Sequence, residues 1–481
     1  MVTVSQAQFG SPDKQGLHRF LSFCQERAVA QGHAILASIS LPSEYLDPLA
    51  VLQSVNDASV EHCYLERHSR QEGVACAEPV LSLSISGQDR FQRAKEFVRQ
   101  WTDRCVFVGD PNLPWSGPHF FVSAAFEAEQ PEGTAFLEES LHLFLPRWQV
   151  GWKGARFSAT ANLRVDANTP LEALIEPIWR AHQRFTSFEF APEELQATVA
   201  SPASCCRLLD QEKSESLFRQ SVLTALEQID AGHVEKIVLS RRLHITTEHA
   251  FVPLDILNKL RQKFPDCTAF SYQNTHGESF IGATPERLVA VRDGQFMTEA
   301  LAGSIARGDN ARQDAHLSKS LLGSDKDRRE HGLVLKFIQE TLQSLGLNAE
   351  ASEIPEILQL SNIQHLRVPL KGSMPAELHL FDLVEALHPT PALGGYPQYA
   401  ALQQLARIEN QPRERYAGLT GWIDTRGEGE FLVNIRCARV GHNRAELFAG
   451  AGIVVDSQPE NELRETELKF ISMLPNFMNL D

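Results

Sequence analysis

The sequence predicts an α+β fold with a large apolar core. Its 481 residues are 43% hydrophobic and 22% charged, which is the composition of an ordinary globular protein. Branched and aromatic runs typical of strands alternate with helical patterns, and no repeat of fixed length is visible. Helices and strands in mixed order favour an α+β fold over an all-helical or an all-strand fold.

The first two hundred residues contain strand candidates but no recognisable chemistry. Segment 191–206 consists of small and polar residues and is typical of a linker. We therefore expect a variable N-terminal half at 1–205 and a region at 206–481 that carries the chemistry. The apolar runs that predict N-terminal strands are 105–109, 118–126 and 139–150.

After the linker, the chain opens with a predicted helix and a predicted strand. Over 211–232, apolar side chains recur at near-helical spacing until Ala-Gly ends the run. Residues 234–245 are rich in branched side chains and predict a strand that carries Lys236. In isolation such a lysine is expected to extend to solvent; the alternative is a buried lysine with a lowered pKa, suited to base catalysis. Further strand candidates are 431–440 and 446–455.

A predicted helix at 325–342 has two carboxylates on its apolar face. Ser324 is the expected N-cap, and Asp327 and Glu330 fall on the same face as Val334. Acids in a first turn complement the helix dipole, which is a sufficient explanation for Asp327. It fits Glu330 less well, because a carboxylate that faces a core needs a hydrogen bond, a proton or a cation.

A second predicted helix at 459–474 carries another acidic stripe. The segment from Ser457 to Glu460 has the form of a capping box. Considered alone, the stripe favours a solvated face. Two acidic helices that meet across a cleft would instead form an oxygen-rich site suited to Mg²⁺. The stripe consists of Glu462, Glu465 and Lys469.

Three further positions carry candidate functional groups. Glu286 follows a proline in a turn between two strand candidates, and a surface turn explains it equally well. Arg436 lies in a predicted strand among apolar neighbours, where a cation usually has an anionic partner. Residues 450–452 read Gly-Ala-Gly, so that backbone N–H groups could approach an anion, although such a run is more often only a tight bend.

The charge and the cysteines limit the partners. A formal net charge of -16 argues against nucleic acid and against an anionic membrane surface, which select clustered Lys and Arg. To bind an anionic metabolite, such an acidic protein would need a local cluster of positive charge from a metal ion, an arginine or a lysine. The eight cysteines show no spacing typical of zinc ligands, and neither a leader peptide nor a membrane span is apparent. We expect a cytoplasmic protein.

Nine short segments occur in order in the second half of the chain. They are 235-EKIVLSR-241, 282-GATPERL-288, 298-TEALAGS-304, 324-SDKDRREH-331, 388-HPTPALGG-395, 416-YAGLTGW-422, 434-NIRCA-438, 449-AGAGIV-454 and 462-ELRETELK-469. Together they resemble the chorismate-utilising enzymes, the family of anthranilate, aminodeoxychorismate, salicylate and isochorismate synthases. The resemblance implies a large two-layered α/β/α chorismate-binding fold with mixed, mostly antiparallel sheets, as in anthranilate synthase component I. One departure is Thr284, where the family commonly has Ser.

The resemblance also implies a Mg²⁺-dependent site that binds chorismate. It implies that Lys236 activates a water molecule and that Glu286 protonates the departing ring hydroxyl. The implied metal ligands are Glu330 and Glu465, supported by Asp327 and Glu462. The implied substrate-binding residues are Gly303, His365, Ala392, Arg436, Gly450, Gly452 and Lys469.

Two positions distinguish members of this family. A lysine at 236 resembles members that use water as nucleophile, whereas the ammonia-using members lack it. Ala392 resembles the isochorismate synthases, and the length of the chain resembles those of menaquinone and phylloquinone pathways. The resemblance thus implies isomerisation of chorismate to isochorismate without an obligatory glutamine amidotransferase. The alternatives are a salicylate synthase, an anthranilate-type synthase and a homologue without catalytic activity.

Overall fold

The computed structural model describes residues 1–5, 9, 13–55, 60–129, 139–186, 206–361, 363–409 and 411–478. The helices are α1 Lys14–Gln31, α2 Pro48–Val55, α3 Arg90–Asp103, α4 Leu171–Thr186, α5 Gln211–Asp230, α6 Pro253–Lys263, α7 Ala311–Gly323, α8 Asp325–Ser344, α9 Leu380–Leu387, α10 Gln398–Ile408 and α11 Pro459–Met473. The strands are β1 Val2–Val4, β2 Ile35–Ser43, β3 His62–Arg67, β4 Glu72–Ile85, β5 Cys105–Val108, β6 His119–Ala124, β7 Leu141–Lys153, β8 Arg156–Val165, β9 Arg207–Leu209, β10 Lys236–Thr246, β11 Thr268–Gln273, β12 Ser279–Thr284, β13 Arg287–Arg292, β14 Gln295–Ala306, β15 Glu350–Ala351, β16 Glu356–Gln359, β17 Ile363–Ser373, β18 Gly395–Tyr396, β19 Leu419–Asp424, β20 Gly429–Val433, β21 Cys437–Val440 and β22 Arg444–Ile453.

The strands of the described residues are joined by pairings that are almost all antiparallel. Only β1 with β5 and β2 with β5 run parallel. The predicted α+β fold with mixed, mostly antiparallel sheets is therefore confirmed. The predicted N-terminal strands are present as β5, β6 and β7, because their apolar runs are long enough to be buried within a sheet.

Strand pairing connects the N-terminal half with the rest of the chain. In β3, Leu65 lies opposite Phe270 of β11, and in β6, Val122 lies opposite Gly421 of β19. Most of the predicted linker lies outside the described residues, so the boundary at 205 stays a prediction. The two halves nevertheless share one hydrogen-bonded strand network.

Two strands and two helices bring the candidate site together. Strand β10 pairs with β22 in antiparallel register, which places Val238 opposite Gly452 and Ser240 opposite Gly450. Helix α11 packs on β22, and helix α8 packs on β14. The two predicted acidic helices, which lie far apart in the sequence, therefore cover neighbouring parts of the sheet.

The predicted starts of α8 and α11 differ in how well they agree with the structure. Ser324 is the N-cap of α8, and its hydroxyl accepts a hydrogen bond from the Asp327 N–H at 3.2 Å. The predicted capping box of α11 is wrong: Gln458 is the N-cap, without a side-chain cap. The hydroxyl of Ser457 instead accepts a hydrogen bond from Val454 N–H at 3.1 Å, and this bond closes the turn that leads into the helix.

The predicted strand at 431–440 is divided in two. Strands β20 and β21 flank a break at 434–436, and Arg436 has a φ of +48°. Its carbonyl accepts a hydrogen bond from Ala283 N–H at 3.1 Å. At this break the chain changes its strand partner, because β20 pairs with β13 and β21 pairs with β12. The prediction that Arg436 lies within a strand is therefore wrong, and the break turns its side chain into the pocket described below.

Two negative findings apply to the described part of the chain. No helix there combines the length and the apolar composition that crossing a membrane requires. The seven cysteines within it are free thiols, and all but Cys206 are buried.

Candidate active site

A pocket with an empty volume of about 860 Å³, its open mouth included, lies between α8, α11 and the strands beneath them. Ten of the thirteen predicted site residues line it. These are Glu286, Gly303, Glu330, His365, Ala392, Arg436, Gly450, Gly452, Glu465 and Lys469. Lys236, Asp327 and Glu462 lie behind this lining, as described below. Each of the nine segments that suggested the family contributes at least one residue to this lining.

Lys236 lies directly behind the pocket wall. Its side chain has no exposed surface, and its Nζ donates to Glu330 Oε1 at 2.8 Å. A Cβ at Gly452 would lie 2.7 Å from that oxygen and 2.9 Å from Lys236 Cε. A glycine at 452 therefore gives the lysine and glutamate room to meet. The interpretation of Lys236 as a solvent-reaching lysine is wrong, because β18 and β22 cover both edges of its strand.

Glu330 is held in its charged form by its neighbours. Burial alone would raise the pKa of its carboxyl, but the charge and hydrogen bond of Lys236 outweigh burial. Lys469 and Lys326 contribute further positive charge, and the net result is a lowered pKa. The carboxylate that sequence analysis found difficult to explain on an apolar face is thus paired with a buried cation.

Glu286 lies in the connection between β12 and β13 and is 8% exposed. Burial and the charge of Glu299 raise the pKa of its carboxyl to about 7, against the opposing charges of Lys236, Lys469 and Arg436. A carboxyl group with this pKa carries a proton in a large fraction of molecules at neutral pH and can donate it. The alternative of a solvated surface turn is therefore wrong.

His365 and Arg436 form a hydrogen-bonded pair. Arg436 Nη2 lies 3.0 Å from His365 Nε2, and an arginine can only donate. His365 Nδ1 lies 3.2 Å from the Gly303 carbonyl and 3.0 Å from the Ser304 hydroxyl. Burial and the charges of Arg436 and Lys469 lower the pKa of His365 to about 3. The imidazole is therefore neutral, with its proton on Nδ1, and serves as an acceptor for Arg436.

The acidic stripe of α11 faces the protein interior and the pocket. Glu462 is 1% exposed and accepts from Lys326 Nζ at 2.8 Å. Lys469 Nζ donates to Glu465 Oε1 at 2.8 Å and to the Gly450 carbonyl at 2.7 Å. The interpretation of this stripe as a solvated face is wrong, because α5, α8 and β22 cover that side of the helix.

The four acids of α8 and α11 concentrate negative charge. Burial raises the pKa of Asp327, and the charges of Glu330 and Glu465 add to that effect. Burial and the charge of Glu465 likewise raise the pKa of Glu462. Within the described residues no three acidic, histidine or cysteine side chains converge as a preformed metal site. Of these four acids, Glu330 and Glu465 line the pocket, and their carboxylates are a donor set that suits a hard cation which keeps water or ligand oxygens in its shell.

The Gly-Ala-Gly run lies within strand β22 and is not a bend. A Cβ at Gly450 would lie 2.7 Å from the hydroxyl of Tyr416. Tyr416 stacks on Phe448 with ring centroids 5.2 Å apart, and both residues line the pocket. Sequence analysis did not single out Tyr416 or Lys326, although both lie in the quoted segments 416–422 and 324–331.

Fold and pocket together indicate an enzyme with a pocket in which Arg436 and Lys469 lie beside two acidic helices, a lining suited to an anionic metabolite. The sequence matches the family of chorismate binding enzymes over residues 22–478. The chain belongs to this family. It is 33% identical to the salicylate biosynthesis isochorismate synthase of Pseudomonas aeruginosa, over 96% of this chain and 95% of that protein. It is 30% identical to the isochorismate synthase MenF of Bacillus subtilis, over 98% of both chains.

Solved structures confirm the predicted chorismate-binding fold. The menaquinone-specific isochorismate synthase MenF of Escherichia coli superimposes with a TM-score of 0.74 at 23% identity, covering 95% of this chain and 100% of that one. Anthranilate synthase component I of Streptococcus pneumoniae superimposes with a TM-score of 0.66 at 21% identity, covering 84% of this chain and 92% of that one. The fold is therefore that of anthranilate synthase component I, as the motifs implied.

Proposed function

We propose that this chain is an isochorismate synthase, an isomerase that adds water at C2 of chorismate and removes the hydroxyl at C4. The observation that carries the proposal is the placement of a buried lysine and a protonatable glutamate at one pocket. Lys236 meets Glu330 at 2.8 Å, and Glu286 has a pKa of about 7. The full-length matches to two isochorismate synthases support the same activity.

The residues of the pocket have separate tasks in this reaction. Chorismate is a dianion, and Arg436 and Lys469 supply the positive charge that a protein with a net charge of -16 needs at this place. His365 fixes the guanidinium of Arg436 by accepting its hydrogen bond. The small side chains of Gly303, Ala392, Gly450 and Gly452 leave room for the ring.

Proton transfer balances without a redox cofactor. Lys236 first releases its own proton to solvent; as a neutral amine it then takes a proton from the water that attacks C2, and Glu286 gives its proton to the hydroxyl that leaves C4. One water enters and one leaves, so the product is an isomer of the substrate. For the next turnover, Glu286 regains a proton and Lys236 releases one to solvent.

We assign Mg²⁺ as the cofactor of this site. Glu330 and Glu465 would hold the ion, with Asp327 and Glu462 supporting them through water molecules or hydrogen bonds. Bound Mg²⁺ supplies positive charge beside a substrate carboxylate. We further place the enzyme in the cytoplasm and expect it to act without a glutamine amidotransferase, because water and not ammonia is the nucleophile. The product feeds menaquinone or phylloquinone synthesis, or alternatively siderophore or salicylate synthesis.

Product analysis tests this proposal. The purified chain is incubated with chorismate and Mg²⁺, and the products are separated chromatographically. We expect isochorismate without pyruvate, unchanged by ammonium salts and stopped by EDTA. Salicylate together with pyruvate would identify a salicylate synthase, anthranilate formed with ammonium would identify an anthranilate-type synthase, and absence of any turnover would leave a non-catalytic homologue.

Variants separate the catalytic roles from general damage. Lys236→Ala and Glu286→Gln are expected to abolish isomerisation while circular dichroism remains that of the parent. Lys336→Ala is the matched control, because Lys336 is an exposed lysine of α8 paired with Glu340. A near-normal rate in Lys236→Ala or Glu286→Gln would remove that residue from the mechanism.

A further inference from the structure

We propose that Lys326 is a built-in counter-cation of the acidic site and that its charge sets how tightly the site binds a divalent metal ion. This inference rests on the metal site of the proposed function. It concerns a residue to which the proposed chemistry gives no role: Lys326 is absent from the pocket lining and pairs with Glu462, which is absent from it too. The proposal makes Lys326 a positioning residue and not a catalytic one.

Each glutamate of the acidic site has a lysine of its own. The three ion pairs have the same N···O distance of 2.8 Å. Lys236 and Lys469 also have roles in the proposed reaction, whereas Lys326 has none. The pairs are Lys236 with Glu330, Lys326 with Glu462, and Lys469 with Glu465.

Lys326 approaches the acidic site from its rim. Its side chain is 33% exposed, whereas that of Glu462 is 1% exposed. Burial would lower the pKa of Lys326, but the hydrogen bond that Lys326 donates to Glu462 and the charges of Glu462, Glu465 and Glu330 raise it. The ammonium group therefore remains charged and lies within the electrostatic field of Glu330 and Glu465.

A fixed ammonium group affects the two states of the site in opposite ways. Without a metal ion it stabilises Glu462, because a buried carboxylate without a cation is costly. With a metal ion it repels the ion, because like charges at short range inside a protein are only partly screened. Removing the charge should therefore destabilise the metal-free enzyme and tighten metal binding. A residue with a purely structural role would change stability by the same amount in both states.

The experiment measures metal binding directly on the full chain. Mn²⁺ is titrated at about pH 8 and the free ion is followed by electron paramagnetic resonance, while Tm is recorded in EDTA and in excess Mg²⁺. For Lys326→Met we expect a lower Tm in EDTA, a larger rise of Tm with Mg²⁺, and a Kd for Mn²⁺ about tenfold lower than that of the parent.

Three further variants complete the test. Lys326→Gln keeps a hydrogen-bond donor for Glu462 and removes only the charge, so it should tighten Mn²⁺ binding even if Lys326→Met does not fold. Lys326→Arg restores the charge and should restore the parent Kd. Lys319→Met, at an exposed position of the preceding helix α7, should leave Kd and both Tm values unchanged.

The outcomes distinguish this inference from the proposed function. A Kd for Lys326→Gln that is within twofold of the parent, or weaker, would overturn the role of Lys326 while the metal site stands. A parent protein that binds neither Mn²⁺ nor Mg²⁺ would remove the metal site itself, and this inference with it.

Discussion

Near neutral pH, the carboxyl group of Glu286 is divided between its protonated and charged forms. Burial has this effect because it disfavours a charged carboxylate. The neighbouring negative charge of Glu299 adds to the effect by repulsion. Glu299 is itself only 8% exposed and is held by Arg367, whose Nε donates to it at 2.6 Å. Glu299, which lies outside the pocket lining, therefore helps to keep on Glu286 the proton that the proposed reaction needs.

A pH profile tests this arrangement. As a general acid, Glu286 acts while protonated, so kcat/KM should fall as the pH rises through about 7. Glu299→Gln removes a negative charge and leaves Arg367 in place, so the pKa of Glu286 should fall. The alkaline limb should then move to lower pH by roughly half a unit or more.

The control for this profile is a second partner of Arg367. Glu356 also accepts from Arg367, at 3.2 Å, but its side chain is 56% exposed. Glu356→Gln should leave the limb in place, because solvent screens its charge. An unchanged limb in Glu299→Gln would contradict the electrostatic role of that residue.

Gly452 is a second residue with a specific physical requirement. A Cβ at this position would lie within 3 Å of both Lys236 and Glu330, so Gly452→Ala must push the ion pair apart or shift the strand. We expect a loss of about 100-fold or more in kcat, by the scale of a misplaced catalytic group. Steady-state kinetics with chorismate measure this loss.

A matched glycine provides the control for Gly452. Gly323 ends α7, and a Cβ there would meet nothing within 4 Å. Gly323→Ala should leave the rate unchanged. If Gly452→Ala had the kinetics of Gly323→Ala, the close approach at 452 would have no bearing on catalysis.

Among the elements, α8 and α11 both agree with the sequence pattern in extent, but only α8 agrees with it in orientation. Helical spacing places both helices within two residues of their observed ends. It also predicts the apolar face of α8, where Val334, Ile338 and Leu342 are buried. It is wrong about the acidic stripe of α11, because periodicity describes one helix and not the elements that cover it.

Helix α8 contains a glycine that lowers its stability without serving the site. Gly332 is exposed in mid-helix, and a Cβ there would meet nothing within 4 Å. Gly332→Ala should raise the free energy of unfolding by about 0.5–1 kcal/mol, because glycine loses more backbone entropy in a helix than alanine. Urea denaturation measures the change. Destabilisation would indicate that the helix is distorted at this position.

On the scale of the whole molecule, the described part of the N-terminal half contributes strands to the sheet and no residue to the pocket lining. Strand β3 covers an edge of β11, and strand β6 covers an edge of β19, two strands from the second half of the chain. Residues of the first half, including Phe121, Phe144 and Val122, belong to the same apolar core as the strands beneath the pocket.

This arrangement predicts that the second half is not independent. A fragment of residues 206–481 would expose two strand edges and a broad apolar surface, which favours aggregation. We expect it to be insoluble or to lack cooperative unfolding, as measured by size-exclusion chromatography and thermal denaturation. A monodisperse fragment with a sharp transition would show that the catalytic region is a separate domain.

The sequence by itself determined several of the helices and strands, the family and thirteen candidate site residues, because these depend on local spacing and on ordered motifs. Only the tertiary structure decided that Lys236 is buried against Glu330, that His365 is neutral, and that Glu286 has a pKa of about 7. The physical reason is that exposure, pairing and pKa depend on distances between groups remote in the chain. Lys236 and Glu330 are 94 residues apart, and no pattern in either segment specifies that their side chains meet.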